Sequence, residues 1–69
     1  MIEVFRTNVN SGEQAASVLG LLKGQWPEYS ANFDLEDCDR ILRIESAVIE
    51  NDRIISLMYA HGYACEVLN

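Results

Sequence analysis

The chain has 69 residues, 49% of them hydrophobic and 23% charged, which excludes a disordered segment and leaves room for one small domain over residues 1–69. Five basic residues against 11 acidic ones give a net charge of −6, a surface that repels nucleic acid and anionic lipid. No apolar run approaches the ~20 residues of a membrane span, and Glu3 stands where a signal peptide carries basic charge, so a cytoplasmic protein is expected.

Residues 2 to 9 predict a first strand, because Ile2, Val4, Phe5, Thr7 and Val9 are β-branched or aromatic. Asn8 to Gly12 then reads as a turn. Ser11-Gly12-Glu13-Gln14 has the S-x-x-Q form of a capping box, in which Ser11 accepts from the Gln14 amide and the Gln14 side chain reaches back. Ala15, Val18, Leu19 and Leu22 follow at helical spacing, with Gly24 as the expected residue past the helix end and Pro27 barring continuation. Ala31, Phe33 and Leu35 alternate with polar residues and predict a second strand. The acidic turn Glu36-Asp37-Cys38-Asp39 leads to a third, in which Leu42 and Ile44 alternate with Ile41, Arg43 and Glu45. Glu50-Asn51-Asp52 places negative charge where a helix N-terminus favours it. Ile54, Ile55, Leu57, Met58 and His61 form the expected buried stripe of that helix, and Gly62 ends it. Residues 63 to 68 predict a last strand, with Tyr63, Cys65 and Val67 on one parity.

The order β-α-β-β-α-β in so short a chain predicts an α+β, ferredoxin-like two-layer sandwich. Right-handed crossovers give an antiparallel sheet in the order 4-1-3-2, with both helices on one face. That topology gathers Asn10, Ser11, the 36–39 hairpin and residues 61 to 63 at one end. A domain of this size buries only ~60% of its unfolded surface and needs a well-packed core, a metal or a partner chain. Cys38 and Cys65 are too few for a disulfide framework and fit a reducing compartment.

Thr7-Asn8-Val9-Asn10-Ser11-Gly12-Glu13-Gln14 and the closing Ala60-His61-Gly62-Tyr63-Ala64-Cys65-Glu66-Val67-Leu68 carry a resemblance. The chain resembles the heavy-metal-associated domains of copper chaperones and metal-pumping ATPases, whose first turn reads M-T-C-x-x-C or T-N-V-N-C-x-x-C and whose end reads A-G-Y-x-x-E-V-L. The resemblance implies that fold over nearly the whole length. In the family, two thiolates at the first turn bind a soft ion such as Cu(I). Here those positions are Ser11 and Gln14, hard and weak donors, so the soft-metal site is expected to be lost and a helix cap to stand in its place.

Glu36, Asp37 and Asp39 with His61 and Cys38 form the one cluster with ligand chemistry, an alternative metal site whose spacing matches no EF-hand or zinc motif. An acidic hairpin turn is ordinarily just solvated, and His61 suits a helix C-terminus as a cation. Cys65 reads as core filler and Cys38 as a turn residue. Trp26, beside Pro27 and Tyr29, reads as the closure of one end of the core. No nucleophile motif and no glycine-rich phosphate loop is present, so neither an enzyme nor a cofactor is expected. If Phe5, Thr7 and Val9 face the helices, Ile2, Val4, Ile41 and Leu68 form an apolar patch on the open face of the sheet. The expected function is therefore a non-catalytic binding module. It would meet a protein partner or a second copy through that face, with metal binding or transport at Cys38, Asp37, Asp39 and His61 as the alternative.

Overall fold

Alternate positions of the first strand choose the layer. Phe5 and Thr7 are buried while Ile2 and Arg6 are exposed, and the same alternation recurs in the strands that flank it. A computed structural model describes residues 1–68. It contains β1 (Ile2–Thr7), α1 (Gly12–Gln25), β2 (Ser30–Asp34), β3 (Ile41–Glu45), α2 (Asn51–Ala60) and β4 (Cys65–Val67). The sheet order is β2-β3-β1-β4 with every pair antiparallel, which is the expected 4-1-3-2 read from the other edge.

The register sets Phe33 opposite Leu42, Leu42 opposite Phe5, and Phe5 opposite Val67. Residues directly opposite one another point to the same face, so these four make a row across the whole sheet. Phe5, Leu42 and Ile44 of that face join Ala15, Val18 and Leu22 of α1 and Ile54 and Met58 of α2 in one buried cluster. Each large side chain so buried contributes about 1.5–3 kcal/mol.

Several local expectations are corrected. β1 stops at Thr7, two residues early, because Thr7 Oγ1 accepts from Val9 N–H at 3.2 Å and turns the backbone out of the ladder. Val9 nevertheless lies fully buried. Gly24 is an interior residue of α1, which runs to Gln25 and is closed by Trp26 N–H donating to Leu22 O at 2.8 Å. His61 does not extend the buried stripe of α2. It is the exposed cap residue, and Gly62 follows at φ +87°, the left-handed conformation expected of a helix stop. The last strand is shortened to Cys65–Val67, although Leu68 N–H continues the pairing to Val4 O at 2.8 Å.

Trp26 closes the end of the core as expected, at 6% exposure. Its ring stacks on Tyr29, with centroids 5.1 Å apart. Its indole N–H donates to Glu50 Oε2 at 3.2 Å, and Glu50 N–H donates to Tyr29 Oη at 2.9 Å. Arg53 lies over the indole, 5.7 Å from its centroid. This end therefore joins the exit of α1 to the entry of α2.

Candidate functional site

Three connections meet at the opposite end, and their polar atoms are mostly committed to one another. Ser11 is the N-cap of α1 and its Oγ accepts from Gln14 N–H at 3.1 Å. The Gln14 side chain reaches back past the cap residue, with Oε1 accepting from Asn10 N–H at 3.0 Å. Ser11 thus satisfies one of the amide donors that α-helix geometry leaves unpaired, and Gln14 fastens the residue that precedes the cap.

The β2–β3 hairpin is fastened to the same end. Thr7 N–H donates to Asp39 O at 3.0 Å, and Thr7 Oγ1 donates to Arg40 O at 2.6 Å. Arg40 sits at φ 49°, a conformation that a bulky side chain rarely adopts, and its guanidinium holds Leu35 O at 3.2 Å. Inside the turn, Asp34 Oδ1 accepts from Glu36 N–H at 3.2 Å and Asp37 Oδ1 from Asp39 N–H at 2.9 Å. These are Asx turns, the local device by which short acids shape a hairpin. On the third connection, Asn8 Oδ1 accepts from Ala64 N–H at 2.9 Å and ties the α2–β4 turn to the first one.

Of the alternative metal set, Asp37, Cys38 and Asp39 come together, with ligand atoms all within 4.8 Å of one another. Glu36 and His61 are not part of that group. Asp39 already has a cation: Arg6 Nε lies 3.2 Å from its carboxylate, and Arg6 Nη1 lies 2.9 Å from Glu66 Oε1. Cys38 is exposed. Cys65 is half-buried against the core, and burial, reinforced by the neighbouring Glu66 charge, pushes its thiol up to about 12. It is therefore a protonated thiol at neutral pH.

The open face carries Ile2, Val4, Arg43, Glu45 and Arg6 as the register requires. Ile2 is 56% exposed, while Val4 and Leu68 are half-buried. Ile41 departs from the expected exposed patch. It is on the open-face parity and outside the helix-side cluster, yet only 9% exposed. Asp37 of the hairpin lines the same shallow depression as Val4, Ile41 and Leu68.

The triad of Arg6 with Asp39 and Glu66 and the Trp26–Tyr29–Glu50 group escape a reading of the sequence. Their partners are far apart in the chain and become neighbours only through the register. For Arg6 and Glu66 one cue existed, opposite charges on neighbouring strands of the expected topology. Comparison with models of known protein families, with curated proteins and with solved structures returned no match. Among the described residues, no helix is long and apolar enough to cross a membrane.

Proposed function

We propose that this chain is a non-catalytic binding module that retains the ferredoxin-like fold of heavy-metal-associated domains without their thiolate pair. The observation that supports this reading is the pair of cap hydrogen bonds at Ser11 and Gln14, which employs both family metal positions in holding α1. Binding then falls to surface rather than chemistry. Ile2, Val4 and Leu68 supply apolar contact in a charged frame, for a protein partner or a second copy. The juxtaposition of Asp37, Cys38 and Asp39 favours the rival reading, a metal carrier. The ion pair of Arg6 with Asp39 opposes it, because an incoming cation would have to displace a guanidinium.

Equilibrium dialysis with Cu(I) and Zn(II) under reducing conditions separates the two. The binding-module reading expects no stoichiometric retention. Sub-micromolar retention that disappears in Cys38→Ser would establish the carrier instead. In the double substitution Ser11→Cys with Gln14→Cys, Cu(I) retention is expected to appear, since a helix N-terminus lowers thiol pKa and two thiolates suit a soft ion.

A further inference from the structure

The outer edge of β4 is open. β4 ends the sheet and pairs only with β1. Leu68 N–H donates to Val4 O, so the alternation of an antiparallel ladder turns Glu66 and Leu68 toward β1 and the backbone groups of Cys65 and Val67 away from it. Among the described residues, no strand meets those outward groups. Beside them, a groove of about 510 Å³ is lined by Arg6, Ile55, Tyr59, Ala64, Cys65 and Glu66 among others. Tyr59 is 78% exposed there, an aromatic of the kind enriched at recognition surfaces.

Backbone donors and acceptors in alternation are satisfied by another extended chain, and the charges choose which chain. Arg6 stands against two carboxylates, Asp39 and Glu66, so the group keeps one negative charge on a protein of net charge −6. Pairing of β4 with its own copy about a twofold, in the register of longest overlap, would set Glu66 directly opposite Glu66, which is destabilising. The edge of β2 is a poorer candidate: its groove is about 190 Å³ and Lys23 lines it, a charge that blunts strand addition. We infer that the β4 edge takes an extended segment of another protein as a fifth strand, with a basic residue opposite Glu66. Because successive side chains alternate between faces, the residues on either side of that basic one face the helix layer. There Ile55 and Tyr59 offer them an apolar wall. The inference deepens the binding-module reading and moves recognition from the open face to the edge.

The test uses a labelled short peptide of alternating lysine and valine, followed by anisotropy and by amide shifts. Shifts are expected at residues 65–67 and along the Ile55–Tyr59 side of α2. Affinity should fall about ten-fold in Glu66→Gln, as for other charge pairs across an interface, and should weaken with salt. Tyr59→Ser should weaken binding with an unchanged melting temperature, which separates recognition from stability. N-methylation of the peptide amides on the pairing edge should abolish binding. Equal binding of the N-methylated peptide, or of an alternating glutamate–valine peptide, would overturn the proposal. Shifts confined to Ile2, Val4 and Leu68 would overturn it while leaving the open-face reading in place, and metal retention would strike that reading alone.

Discussion

Ser11→Ala removes the acceptor for Gln14 N–H and is expected to cost about 0.5–2 kcal/mol, measured as a lower urea midpoint with an unchanged slope. Ser11→Asp keeps an acceptor and adds a charge suited to a helix start, so its midpoint should stay near that of the parent. Cys65 gives a pH signature. Its thiol is raised from about 9 to about 12 in the folded chain, so the native state holds its proton above the unfolded value. The unfolded state then binds fewer protons, and stability falls with rising pH between those two values. That stability is fully present below the lower one. The difference in slope between the parent and Cys65→Ala should show this loss, and equal slopes would refute the assignment. These two residues were legible because their environments are local: a cap depends on residues three apart, and strand parity places Cys65. His61 and Ile41 were not. A helix stop one residue earlier than the hydrophobic stripe suggests, and a hairpin turn beside the open sheet face, are both decided by backbone geometry beyond a pattern of polar and apolar letters.

One hydroxyl serves both the link from β1 to the hairpin and the turn that follows β1. Thr7 Oγ1 donates to Arg40 O and accepts from Val9 N–H. Thr7→Val keeps the shape and strands both partners, and is expected to cost about 1–3 kcal/mol by thermal melting, whereas Thr7→Ser should keep most of the stability. At the end of α2, Gly62 has open space around the position a Cβ would take, but its φ is +87°. Gly62→Ala should therefore destabilise by roughly 1 kcal/mol through backbone conformation alone, and Gly62→Asn by less. Element identities followed from periodicity and turn chemistry. Boundaries slipped at single hydrogen bonds: the Thr7 side chain ends β1 early, and the Trp26 backbone N–H donating to Leu22 O lets α1 run through Gly24.

Across the whole molecule, the order of elements and the handedness of crossovers were enough to rank the strands, because a chain this short has few ways to cover one sheet. The contacts that close its far end were not legible, since Tyr29 and Glu50 lie 21 residues apart. Tyr29→Phe leaves Glu50 N–H without its acceptor while keeping the stacked ring, and should lower stability by about 1 kcal/mol. For a domain of this size that corresponds to ~4–8 °C in melting temperature. Trp26 is the single tryptophan, so its emission reads this end directly. Early loss of its signal in Tyr29→Phe, ahead of the far-UV transition, would show that the end opens separately. Coincident transitions would show one cooperative unit.

The neighbouring placement of β1 and β4 also has a topological consequence. β1 begins and β4 finishes at the same end of the sheet, on paired strands, with Leu68 bonded to Val4. A short flexible bridge can therefore close the backbone into a ring without crossing the fold. The ring can be reopened at the exposed bend of Ala47 and Val48, between β3 and α2. Such a circular permutant is expected to keep the parent's circular dichroism and a single unfolding transition. The same geometry suits the unit to insertion within a surface loop of a host protein, entering and leaving through one doorway.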